Sequence, residues 1–205
     1  MGKKLTRAER SEDVRQRLFN AATKVVGVNG YAEASVSAIT SLAGVAQGTF
    51  YNYFETRQEL LDQLLPRLGQ RMLDFIQSRN VASAEAEDRE MMRFRSFFDF
   101  LKEVPEFLRI LNEAELFAPA GFAQHLSNIT AGYVRLLKRG RAKGEVSDFS
   151  DEELEVVVHI LMGARSYLSW RYAYTQGGVS PVPDQVYSAY EKLLRSGLFV
   201  NPRQG

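Results

Sequence analysis

The span from Val36 to Phe54, VSAITSLAGVAQGTFYNYF, constrains this chain more than any other stretch, because a glycine stands between two short helical patterns of opposite character. Val36, Ile39, Leu42 and Ala43 recur at helical spacing and share one face, and Ser35 or Ser37 can cap the N-terminus. Gly44 suits the left-handed residue that ends such a helix. After Val45 and Ala46, a second helix over Gln47 to Tyr53 offers Phe50 and Phe54 for packing and turns Gln47, Thr49, Tyr51, Asn52 and Tyr53 elsewhere. A surface helix has little structural use for so many aromatic and amide groups together. A major groove has: Gln and Asn bond base edges bidentately, a Thr methyl meets the thymine methyl, and Tyr hydroxyls reach phosphate. Gly48 costs such a helix about 1 kcal/mol relative to Ala, yet it lets the backbone come close to DNA. The pattern predicts a DNA-reading helix-turn-helix.

Gly30-Tyr31, Ala43-Gly44-Val45 and Gly48-Thr49-Phe50-Tyr51-Asn52-Tyr53-Phe54 follow one another in the order found in the TetR (tetracycline-repressor) family of bacterial transcription regulators. Over roughly residues 11 to 65 the chain resembles that family. Three positions depart from its pattern. Ala46 stands where a capping Ser is frequent, Gln47 where a basic residue is common, and Arg57 where a Lys usually follows. The first weakens the cap and the second alters the sequence read, whereas Arg57 can still meet a phosphate. The resemblance implies an N-terminal reader, a larger C-terminal domain that binds a small effector, and a two-fold dimer built through the last two long helices.

Charge and composition agree with a cytoplasmic nucleic-acid binder. Through residue 60 there are eight Lys and Arg against six Asp and Glu, and beyond it 18 against 19, from totals of 26 and 25. The segment ahead of the first helix carries Lys3, Lys4, Arg7 and Arg10 against Glu9, which suits a basic arm for phosphates or a minor groove. No apolar run approaches the roughly 18 residues of a membrane span, and no apolar stretch follows the basic start as in a secretion signal. Without cysteine, disulfides, thiolate metal sites and a Cys nucleophile are excluded.

Along the chain, helical periodicity with caps predicts an all-α fold of about nine helices and no strand. The first helix is expected from about Ser11, as cap, to Asn29. A fourth starts at the capping box Thr56-x-x-Glu59, runs past Ile76 and holds Pro66, where a kink could transmit a signal. Helices follow over about Glu85 to Glu103, from Pro105, and from Pro119 to the basic run Lys138–Lys143. The next starts at the box Ser150-x-x-Glu153 and reaches about Tyr174, and a last one ends at Gly197. The division expected is residues 1–56 for the arm and helix-turn-helix, and 57–205 for effector binding and dimerisation.

By role, the expected DNA contacts are Gln47, Thr49 and Asn52 on base edges, Gly48 as the close approach, and Ser37, Tyr51, Tyr53 and Arg57 on the sugar-phosphate backbone. The C-terminal aromatics suit a cavity for a hydrophobic or aromatic effector. Candidate lining residues are Phe94, Phe98, Leu101, Phe107, Leu111 and Trp170, and His125, Asn128, Tyr133, Tyr167 and Arg171 are the candidate polar groups. Two other functions compete: a ligand-independent regulator or activator, and an all-helical enzyme. The enzyme has little support, since His125 and His159 stand alone, without metal-ligand spacing or a phosphate-cradling glycine loop. No cofactor or metal is expected.

Overall fold

A computed structural model describes residues 6–79, 85–175 and 178–197. Among them are nine α-helices: α1 (Arg7–Asn29), α2 (Val36–Ala43), α3 (Gln47–Phe50), α4 (Arg57–Ser78), α5 (Ala86–Glu103), α6 (Phe107–Phe117), α7 (Pro119–Ala142), α8 (Asp151–Leu168) and α9 (Asp184–Gly197). The all-α expectation holds. Pro66 lies inside α4, and Pro119 opens α7. No helix among the described residues is long and apolar enough to cross a membrane.

Two expected boundaries move for local reasons. α1 begins earlier than Ser11 because Thr6 and Glu9 form a reciprocal box: the Glu9 N–H donates to Thr6 Oγ1 at 3.2 Å, and the Thr6 N–H to Glu9 Oε2 at 2.6 Å. Arg7 and Arg10 are therefore helical rather than part of an arm, while Lys3 and Lys4 lie outside the described residues. At the other end α8 stops at Leu168, short of Tyr174, and a π-helical turn, Ser169–Ala173, follows it. The chain then forms a two-residue antiparallel pair, β1 (Tyr174–Thr175) with β2 (Gly178–Val179), in which Tyr174 faces Val179. This pair corrects the expectation of no strand. The Ser180 N–H takes the Ala173 carbonyl at 2.8 Å, so the backbone is satisfied across the hairpin instead of along a helix.

The chain divides into two compact units, one of Met1–Gly69 with Glu106–His125, the other of Gln70–Pro105 with Leu126–Gly205. In the first, α1 packs on α2 and α6 around Leu18, Phe19, Tyr31, Ile39, Phe50 and Phe54, all buried. In the second, α5 packs on α9, and Phe94, Phe98, Leu101, Leu154, Val158 and Tyr190 are buried. α8 starts at the expected box, with the Glu153 N–H on Ser150 Oγ at 3.2 Å and the Ser150 N–H on Glu153 Oε2 at 2.6 Å. The basic end of α7 meets it, as Lys138 and Arg141 each pair with Asp151 at 2.7 Å.

Candidate nucleic-acid interface

The helix-turn-helix is assembled by short-range chemistry on an aromatic base. Ser35, not Ser37, caps α2, its hydroxyl accepting the Ala38 N–H at 3.1 Å. Ile39, Thr40 and Ala43 are the buried face of α2. Gly44 ends it in the left-handed region at φ 65°, and the Val45 N–H reaches back to the Thr40 carbonyl at 3.1 Å. α3 follows without a side-chain cap, since Ala46 has no oxygen to offer. Its regular part ends at Phe50, shorter than the expected Gln47 to Tyr53. Residues Tyr51 to Tyr53 continue as a turn, with Tyr53 N–H on Phe50 O at 3.0 Å. Phe50 and Phe54 anchor this segment; their ring centroids are 5.4 Å apart, and Phe54 meets Phe19 of α1 edge-on at 5.3 Å.

That base sets what the other side chains can do. Ser37, Gln47, Gly48, Tyr51 and Asn52 are exposed, and Thr49 and Tyr53 are half-buried. Tyr51 is 55% exposed although its ring touches Phe50, so its hydroxyl end is free to meet a partner. Nothing lies within 4 Å of a Cβ placed on Gly48, so the α3 backbone is open on that side. One short segment thus offers amides, a hydroxyl, phenols and bare backbone on a surface held from beneath by buried rings.

Arg57 sits differently from the rest. Its Nε donates to the Ala34 carbonyl at 2.7 Å and its Nη2 to the carbonyls of Tyr31 and, at 3.3 Å, Ala32. The guanidinium is thus engaged by the loop between α1 and α2. A second arginine, which the sequence did not single out, does the same for the turn: Arg17 donates from Nε and Nη2 to the Ala43 carbonyl at 3.0 and 2.5 Å, and from Nη2 to Gly44 O at 3.0 Å. These are the orphan carbonyls at the end of α2, where a cation also complements the helix dipole. No local sequence signal marks either role, because the partners lie 23 to 27 positions away.

The candidate effector residues fall in both units. Phe107, Leu111 and His125 belong to the first, where Phe107 and His125 are buried and Leu111 half-buried. The His125 ring meets Phe107 at 6.2 Å, and burial pushes its pKa down to about 4, so it is neutral at pH 7. The second unit holds the other eight. Phe94, Phe98 and Leu101 are core, and Phe94 stacks on Tyr190 at 3.7 Å. Asn128, Tyr167, Trp170 and Arg171 are exposed, and Arg171 lies over the Tyr172 ring at 5.3 Å.

Tyr133 leads to a polar cluster that sequence reasoning missed. Its hydroxyl accepts from Arg165 Nη2 at 3.0 Å, and burial raises its pKa. The same Nη2 donates to Glu90, which also accepts from the Tyr190 hydroxyl at 3.0 Å and lies 3.4 Å from Arg93. Glu90 is 1% exposed. The helical spacing puts it on the apolar side of α5, and the distant Arg165 and Tyr190, with Arg93 one turn away, explain a charge there. Among the described residues no group of three His, Cys, Asp or Glu side chains could hold a metal ion.

Residues 18–64 match the model of the bacterial regulatory proteins of the tetR family, which covers α1 from Leu18, both helices of the motif and the start of α4. The chain is 27% identical over 143 residues to the fatty acid metabolism regulator protein of Bacillus subtilis (strain 168), covering 67% of this chain and 73% of that one. It is 24% identical over 141 residues to the HTH-type transcriptional repressor KstR of Mycobacterium tuberculosis, covering 69% and 64% respectively. The fold matches the crystal structure of a TetR-family transcriptional regulator from Haemophilus influenzae with a TM-score of 0.71 at 17% identity, over 94% of this chain and 100% of that one. The matched reader segment and the similarity to curated regulators identify a DNA-binding transcriptional regulator, one whose residues 18–64 match the tetR family of bacterial regulatory proteins and whose all-helical fold is that of TetR-family structures.

Proposed function

We propose that this regulator is a cytoplasmic repressor, not an enzyme, that a dimer of it binds a nearly palindromic operator, and that a small hydrophobic or aromatic effector releases it. The observation that carries the reading is the exposed set Gln47, Gly48, Tyr51 and Asn52 above the buried Phe50 and Phe54. Gln47, Thr49 and Asn52 read base edges; Ser37, Tyr51 and Tyr53 hold phosphates; Arg57 shapes the loop beneath them. The functional division falls near residue 56, with effector binding and dimerisation in 57–205, even though the compact unit around the reader also takes in residues 57–69 and 106–125.

The dimer is supported by α8 and α9. Leu154, Val158 and Leu161 of α8 are buried, yet Val156, Ile160 and Tyr167 are 57–62% exposed on another side of the same helix, and Leu193 of α9 is 69% exposed. Nothing lies within 4 Å of a Cβ placed on Gly163, between Ile160 and Tyr167, which suits close approach of a second helix. Such a face is best buried against its own copy, which sets two recognition segments about 34–36 Å or a multiple apart on DNA. The names of the Bacillus and Mycobacterium relatives favour an acyl effector and repression. By linkage, operator DNA weakens effector binding by the factor with which effector weakens operator binding.

Selection of bound sequences from a random duplex pool, with and without long-chain acyl compounds and aromatic acids, tests the proposal. A palindrome lost with one compound supports it. A palindrome that no compound disturbs leaves a ligand-independent regulator, and recovery of no motif refutes it.

A further inference from the structure

We propose that Glu113 and Arg109 of α6, far outside the family-matched segment, are positioning residues for DNA recognition, because they latch the peptide that leads into the helix-turn-helix. The inference rests on the operator-binding reading above. The loop between α1 and α2 starts at Gly30, whose φ of +88° only glycine adopts readily, and continues to the cap Ser35. The Tyr31 N–H donates to Glu113 Oε2 at 2.9 Å, and the other carboxylate oxygen accepts from Arg109 Nε at 2.8 Å. Arg109 Nη1 in turn donates to the Val28 carbonyl at 2.6 Å, at the end of α1. On the other side of the same residue, the Tyr31 carbonyl is held by Arg57 of α4.

Tyr31 is thus gripped at both polar backbone atoms by two different helices, and its fully buried ring stacks on Phe117 of α6, centroids 6.2 Å apart and nearly parallel. The seat for α6 on α1 is made by absent side chains. A Cβ on Gly27 would fall inside the Glu106 side chain, and one on Gly30 would lie 2.9 Å from Glu113 Oε2. Glu106 also pairs with Lys24 of α1. The pair Gly27 and Gly30 therefore lets α6 reach the Tyr31 amide, and with only four residues from Tyr31 to the cap of α2, displacing that amide moves α2 and the recognition segment behind it.

The test uses the full chain and its selected operator duplex. Glu113→Ala, and Glu113→Asp with its shorter reach, should bind about tenfold more weakly, since a hydrogen bond to a charged group carries roughly that factor or more. Glu113→Gln keeps an acceptor for the Tyr31 N–H and should stay within about twofold of wild type. Amide exchange reports the latch directly: Tyr31 should exchange faster in the Ala and Asp variants and slowly in Gln. If Ala and Asp free the Tyr31 amide but bind the operator as wild type does, the proposal is overturned while the regulator reading stands. If wild type itself selects no duplex, the regulator reading falls first and this one with it.

Discussion

Replacing Arg57 by Ala should lower the melting temperature without changing how DNA binding responds to salt. The guanidinium donates to the carbonyls of Tyr31, Ala32 and Ala34, and its removal leaves partly buried acceptors without a partner. Hydrogen bonds to a charged group contribute about 1.5–3 kcal/mol when well buried. Arg57 is only half-buried, so the whole set is worth about 2–3 kcal/mol rather than the full sum. At about 2–4 °C per kcal/mol for a chain of this size, the melting temperature should fall by roughly 5–10 °C. A phosphate contact would behave otherwise: its loss would lower the slope of log affinity against log salt by about 0.9 per protomer. Thermal unfolding of the variant, with operator affinity titrated between about 50 and 200 mM salt at a temperature where it stays folded, separates the two. An unchanged melting temperature with a slope reduced by about 0.9 would refute the clamp and return Arg57 to the phosphate contacts.

Asn52→Ala or Gln47→Ala should relax preference at one operator position by about 1–3 kcal/mol and leave other positions alone, as read by repeating the sequence selection. Ile160→Glu places a charge on the exposed face of α8 and should yield a folded monomer with far weaker operator binding, measured by sedimentation and circular dichroism together. Glu90→Ala strands Arg165 and should destabilise by about 3–5 kcal/mol in denaturant melts, more than the double replacement of Glu90 and Arg165 by Leu. His125 gives a pH dependence of known sign. Its folded pKa of about 4 lies below the ordinary 6.5, so the unfolded chain binds more protons between those values. Stability therefore rises through that window, is fully present above about pH 6.5, and loses up to about 3 kcal/mol toward pH 4. His125→Phe should flatten that part of the stability-against-pH curve, and an unchanged curve would show that other groups cause it.

Local chemistry made much of the reader legible in advance. The Ser35 cap, the left-handed Gly44, the Phe50 and Phe54 anchors and the Ser150 box each involve residues within about four positions of one another, so a short window contains the whole interaction. The boundaries of α1 and α8 moved because a competing local solution, the Thr6–Glu9 box or the Tyr174–Val179 pair, satisfied the backbone better. The candidate effector residues were legible as aromatic density, but their division between two units was not. What the sequence determined by itself was the order of helices and which face of the second short one is polar, since periodicity and capping act along the chain. Only the tertiary structure decided that Arg17 and Arg57 serve carbonyls, that Glu90 has buried partners and that Glu113 reaches back to Tyr31. Those pairs are separated by 23 to 100 positions, and a charge carries no mark in the sequence of which distant dipole the fold will bring to it.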